Sequence, residues 1–83
     1  MSNRIRRLTY AFPTPFQLTG MTEICAAGDY EVTTEDEPIG NFVLPAYRRI
    51  STTIYIPPPI GRPGIGQIIE IDPNQLIGPV LKP

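Results

Sequence analysis

Apolar and polar side chains alternate along this chain with a period of two, which is typical of strands rather than helices. The clearest alternation spans residues 47–56, where Ile50, Thr52, Ile54 and Ile56 fall on one face. Weaker alternation follows Gly28, with Tyr30, Val32 and Thr34 inward, and appears again in segments 6–12 and 65–71. The pattern predicts an all-β fold, a single domain over residues 1–83. We expect a small antiparallel sheet or open barrel of four to five strands with a short C-terminal helical turn.

Eleven prolines divide the chain into short segments, because each removes an amide donor and fixes φ. Segment 35–46 contains Pro38, Gly40 and Pro45, so we expect a loop there. The prolines at 57–59 and the turn at 61–64 leave 50–56 and 65–71 free to pair as antiparallel neighbours. The Asp72-Pro73 pair predicts a helical turn over 74–77. Residues 1–4 and 80–83 are expected to be flexible.

The composition argues against an enzyme. The chain has no histidine and one cysteine, so a single copy cannot build a Ser-His, Cys-His or Cys/His-zinc site. We expect no cofactor, no metal and no small-molecule substrate. Cys25 is expected to be a small buried hydrophobe rather than a redox or metal-binding thiol.

The net charge of −1 gives no global attraction for nucleic acid or an anionic membrane. No segment has the roughly 20 apolar residues of a membrane-spanning helix. The expectation is a soluble cytoplasmic protein.

Acidic residues Asp29, Glu31 and Glu35 alternate on the strand that begins at Gly28. Such a row can bind a hard cation or can simply be solvated. The interpretation that we favour is cross-strand pairing with Arg49 or with Arg6 and Arg7.

The alternation places Tyr47, Arg49 and Tyr55 together on the outer face of the long strand. Tyrosine and arginine are enriched at protein–protein hot spots, and aromatic and arginine side chains on a sheet also stack on single-stranded nucleic acid. These three residues are the candidate contact face. Nucleic acid is the less favoured partner because an acidic strand lies beside them.

Three segments, Phe16-x-Leu18-x-Gly20, Gly28-Asp29-Tyr30-Glu31-Val32-x-Thr34 and Ala46-Tyr47-Arg48-Arg49, resemble a family of short uncharacterised bacterial proteins. The resemblance covers residues 16–56. It implies an intact single domain, and it implies no activity, catalytic residue or ligand.

These observations predict a non-enzymatic interaction or structural module that acts through protein–protein contact. Self-association as a homodimer is the simplest version, because segment 65–71 has apolar residues on both faces and a small sheet needs its apolar face and edges covered. The alternative is a nucleic-acid-associated accessory protein that uses Tyr47, Arg49, Tyr55 and the arm Arg4-Arg6-Arg7.

Overall fold

A computed structural model describes residues 2–41, 43–58, 64–76 and 78–83. Its strands are β1 (Arg4–Phe12), β2 (Gly28–Pro38), β3 (Tyr47–Ile56), β4 (Gln67–Glu70) and β5 (Val80–Leu81), with a 3₁₀ turn at Pro73–Leu76. The five strands form one open antiparallel sheet in the order β4-β3-β2-β1-β5. The predicted fold class is confirmed.

One face of the sheet carries the hydrophobic core, and we call it the covered face. Leu8, Val32, Ile54 and Ile69 stand side by side across four strands on this face. Val32 and Ile54 are fully buried. The predicted alternation is confirmed here, because apolar residues two apart in β2 and β3 point to the same side.

The connection between β1 and β2 covers this face. Phe16 and Cys25 exchange backbone hydrogen bonds of 3.0 and 2.7 Å, which fold the connection into a narrow excursion. Phe16 stacks on Phe12 with ring centroids 3.9 Å apart, and Tyr30 meets both rings edge-on. Leu18, only 3 % exposed, completes the cover. The excursion therefore supplies the second layer that a single sheet lacks.

The strand limits differ from the predictions at two places. β2 continues through Pro38, so the expected loop over 35–46 is wrong in its first part. Proline is tolerated there because its nitrogen faces the β1 side, where β1 pairs with β2 only as far as Asp36, so no ladder hydrogen bond is lost. β4 is shorter than predicted, with Ile65 94 % exposed and Ile68 75 % exposed. The inference that segment 65–71 is buried on both faces is therefore wrong for the single chain.

The C-terminal segment is tied to the sheet and to the turn before it. The Asp72 carboxylate accepts a 2.9 Å hydrogen bond from the Asn74 amide, as expected of a residue that caps a helical turn. Residues 80 and 81, which we expected to be flexible, form β5 opposite Tyr10 and Ala11. The predicted turn at 61–64 lies largely outside the described residues, as does Ile77.

The molecule is elongated, with extents of 51 × 25 × 25 Å. Its radius of gyration is 15.0 Å, whereas a compact chain of this length has about 12 Å. Within the described residues no helix combines the length and the apolar character needed to cross a membrane.

Candidate functional site

A β-bulge in the middle of the β2–β3 pair determines which side chains share a face. Glu35 lies opposite Ser51, but the next residue, Asp36, lies opposite Arg49. Ile50 therefore has no partner residue on β2, and the alternation of β3 is inverted on its N-terminal side. Arg49 consequently points to the covered face rather than to the face predicted from its position.

The bulge assembles a charged group at one end of the covered face, beyond the core. The side chains of Arg4, Arg6 and Arg49 approach Asp36, and we call these three arginines the arginine cluster. Asp36 Oδ2 accepts hydrogen bonds from Arg4 Nε at 3.2 Å and Arg4 Nη2 at 2.9 Å, while Oδ1 accepts one from Arg49 Nε at 2.5 Å. Arg6 Nη2 lies 3.6 Å from Oδ2. One carboxylate thus stands among three guanidinium groups.

Asp36 is held as a carboxylate by these contacts. Hydrogen bonds from Arg49 and then from Arg4 lower the pKa of its carboxyl group, and burial opposes them. The side chain is only 3 % exposed, whereas the three guanidinium-bearing side chains are 36–47 % exposed. The Asp36 carboxylate is therefore buried, and the arginine side chains around it remain accessible to solvent.

Tyr47 belongs to the same group, because the bulge inverts its position as well. The guanidinium carbon of Arg4 lies 4.0 Å from the centroid of the Tyr47 ring, a cation–π contact. Arg49 Nη1 also donates a 3.3 Å hydrogen bond to Thr52 Oγ1. Both arginines are thus restrained in orientation.

The opposite face of the sheet is acidic, and its charges are largely paired. Glu31 lies 4.0 Å from Arg7, Glu37 pairs with Arg48, and Asp29 pairs with Lys82 at 2.8 Å. Glu35 accepts a 2.8 Å hydrogen bond from Asn3. The predicted cross-strand pairing is thus seen for Glu31 with Arg7, whereas Arg49 takes Asp36 instead of a residue of the predicted row. No group of three possible metal-ligating side chains occurs among the described residues.

The turn between β2 and β3 lies beyond the arginine cluster, and we call its described residues, 39–41 and 43–46, the hairpin tip. It is a built turn. The Asn41 side-chain oxygen accepts hydrogen bonds from the amides of Val43 and Leu44 at 2.9 and 2.8 Å. A Cβ atom at Gly40 would collide with the backbone of Leu44, so this position requires glycine.

The hairpin tip presents apolar side chains to solvent. Ile39, Val43 and Leu44 are 55 %, 84 % and 74 % exposed. The exposed aliphatic side chains on this hydrogen-bonded turn, beside a charged group, make the hairpin tip a candidate contact surface.

The three residues of the predicted contact face do not stay together. Tyr47 and Arg49 meet in the group around Asp36, whereas Tyr55 lies on the acidic face, opposite Ile68 of β4. A Cβ atom at Gly66 would collide with the Tyr55 ring, so that ring packs against the chain before β4. The expectation of one shared face is wrong, because the bulge separates Tyr55 from the other two.

The sequence placed Arg4 and Arg6 beside Tyr47 and Arg49 only in the nucleic-acid alternative, and Asp36 was missed as a member of the site. One signal was present, since Asp36 continues the inward series of Tyr30, Val32 and Thr34 at the same spacing.

Cys25 lies against a cavity of about 740 Å³ between the β1–β2 excursion and the chain after β3. Cys25 is 7 % exposed, and burial, followed by the charge of Glu23, raises the pKa of its thiol. Burial also raises the pKa of Tyr30, whose hydroxyl donates a 2.7 Å hydrogen bond to the Ala26 carbonyl. The raised pKa of each group favours its protonated form.

Comparison of the chain with protein-family models, curated proteins and solved structures found no match. The resemblance to short bacterial proteins therefore stays a prediction.

Proposed function

We propose that this protein is a non-enzymatic β module that binds another protein through its hairpin tip and the adjoining arginine cluster. The observation that carries the proposal is the ordered turn at the tip, which holds Ile39, Val43 and Leu44 exposed. Exposed aliphatic side chains lose hydration when a partner covers them, and this favours association. Arginine and tyrosine at the border of such a patch add the side chains most enriched at binding hot spots.

The edges of the sheet are poor docking sites at this end of the molecule, which favours the tip. Beyond its pairing with β5, the outer edge of β1 has no strand partner among the described residues, and this part of β1 carries Arg4, Arg6 and Arg7. Beyond its pairing with β4, β3 exposes an edge interrupted by the bulge at Ile50. Charged side chains and bulges both discourage strand addition at an edge.

A second copy of the chain is the simplest partner. The acidic face of one copy is complementary in charge to the arginine cluster of another, and complementary charge favours specific association. Sedimentation velocity between micromolar and millimolar concentration tests this version. A monomer throughout that range removes self-association and leaves a different protein as the partner.

The experiment for the surface itself compares two matched substitutions. Leu44→Asp places a charge on the tip, and Ile68→Asp places the same charge on an equally exposed isoleucine of β4. When immobilised, the wild-type protein and the Ile68→Asp variant should capture the same partner from a host extract, and the Leu44→Asp variant should not. If the partner is a second copy, the first two proteins should self-associate equally and the Leu44→Asp variant should stay monomeric. Equal loss in both variants, or retention in both, would show that the tip is not the contact surface.

The second candidate function is nucleic-acid binding, and one observation favours it. Tyr47 and the arginine cluster lie on the covered face. Among the described residues of β2, Asp36 is the one carboxylate on that face, and the others lie on the opposite face. Oligonucleotide binding at low salt should then weaken with salt in proportion to the phosphates contacted. Arg49→Gln should weaken it and Arg48→Gln, on the acidic face, should not. No binding at low salt would end this candidate.

A further inference from the structure

The arginine cluster carries more positive charge than its own carboxylate neutralises. Three guanidinium groups face one carboxylate, Asp36, which leaves an excess of two positive charges. The other carboxylates of β2 lie on the acidic face, where Arg7, Arg48, Lys82 and Asn3 contact them. Within the described chain, no second carboxylate therefore serves the cluster.

Arg6 is the arginine with donors to spare. Its closest carboxylate contact is 3.6 Å from Asp36 Oδ2, beyond hydrogen-bond distance, and its side chain is 47 % exposed. Arg4 and Arg49 are fixed by Asp36, Tyr47 and Thr52, but each keeps N–H groups that these contacts do not use. The cluster is thus positively charged, accessible and largely oriented in advance.

A buried hydroxyl lies in the same part of the face. Thr34 stands opposite Arg6 on β1 and opposite Thr52 on β3. Its Oγ1 is the buried side-chain polar atom for which the described residues offer no hydrogen-bond partner, and Thr34 is 2 % exposed. A buried polar group without a partner is costly and uncommon. An acceptor bound at Arg6 would satisfy the Thr34 hydroxyl once the half-exposed Arg6 side chain moves aside to admit it.

We propose that Arg4, Arg6 and Arg49 form a binding site for an oxyanion, a carboxylate or a phosphate-like group, with Asp36 as the internal anchor that orients two of the three arginines. Guanidinium groups bind such oxygens in pairs of parallel hydrogen bonds. The ligand is either a free inorganic anion or a side-chain carboxylate of the protein partner. The second version rests on the proposed function, whereas the first stands without it.

The test is a titration monitored through the Nε–Hε signals of the arginines in ¹H–¹⁵N NMR spectra. One arm uses sodium phosphate at constant ionic strength, and the other uses a blocked tri-glutamate peptide. In each arm whose ligand binds, the signals of Arg4, Arg6 and Arg49 should move and those of Arg7 and Arg48 should not. Saturation by phosphate with no response to the peptide indicates a free anion, and tighter binding of the peptide indicates a partner carboxylate.

Adjacent arginines on opposite faces provide the matched control. Arg6→Gln and Arg7→Gln change the net charge equally, but only Arg6 belongs to the cluster. Arg6→Gln should weaken binding at least about tenfold, the loss expected for one charge-assisted hydrogen bond. Arg7→Gln should stay within about twofold, because a screened charge on the other face contributes little.

A second variant addresses the hydroxyl. Thr34→Val keeps the shape of the side chain and should weaken anion binding while leaving the thermal midpoint of the free protein unchanged or higher. Absence of binding in both arms, or equal weakening in Arg6→Gln and Arg7→Gln, would overturn the site. Neither result bears on Leu44, so failure of this site and failure of the tip as a contact surface are distinguishable.

Discussion

Replacing Ile54 with alanine tests the core at the point where four strands meet. Ile54 is fully buried between Val32 and Ile69. The change removes three carbon atoms, which at about 0.8 kcal/mol per buried methylene costs roughly 2.4 kcal/mol of transfer free energy. The cavity left behind raises the expected loss to about 3–4 kcal/mol.

That loss is large for a chain of this size. A domain of 83 residues has a free energy of unfolding of roughly 4–12 kcal/mol, at about 0.05–0.15 kcal/mol per residue. At about 4–8 °C for each kcal/mol, the thermal midpoint should fall by roughly 12–30 °C. Urea unfolding monitored by circular dichroism measures the free energy of unfolding. An unchanged slope of that free energy against urea concentration shows that the folded state is the same.

The control is Ile68→Ala, which removes the same atoms from an isoleucine of β4 that is 75 % exposed. Its free energy of unfolding should change by no more than about 0.5 kcal/mol. Equal losses in the two variants would refute the assignment of the covered and exposed faces.

Three further predictions concern the bulge, the buried carboxylate and the thiol. Deleting Ile50 should keep the fold and shift the thermal midpoint by only a few degrees, because Asp36 and Arg49 then pair in regular register. Deleting a residue from the regular part of β3 should abolish folding, because every side chain beyond it would change face. The pKa of Asp36 is lowered, so its contribution to stability is complete above pH 3.8 and is lost as the pH falls further. Urea midpoints measured downward from pH 5 should therefore decline more steeply for the wild type than for Asp36→Asn, and parallel curves would contradict the ion pairs. Cys25 should react with a disulfide reagent at pH 8 far more slowly in the native protein than in urea, and equal rates would contradict its burial.

Local alternation was sufficient to predict most of the sheet. The limits of β3 were predicted as 47–56 and are found at Tyr47–Ile56, because branched and aromatic residues fill that segment and loops bound it. The inward side chains of β2 follow the same rule as far as Thr34. The predicted pairing of β3 with the following strand is also found.

The site could not be predicted in the same way, because long-range contacts decide the register there. Strict alternation places Ile50 opposite Asp36 and turns Arg49 away from it. Arg49 and Arg4 then could not both contact that carboxylate. The chain instead leaves Ile50 without a partner on β2. This register becomes evident only when β1, β2 and β3 are placed together.

The register at the bulge is most directly measured by nuclear Overhauser effects between β2 and β3 in the folded protein. The structure predicts cross-strand contacts between Arg49 and Asp36, and contacts from the Tyr47 ring to the Arg4 side chain. Contacts that place Ile50 opposite Asp36 and Arg49 opposite Glu37 would contradict it. In that register Tyr47 and Arg49 would lie on the acidic face, and the arginine cluster would not exist.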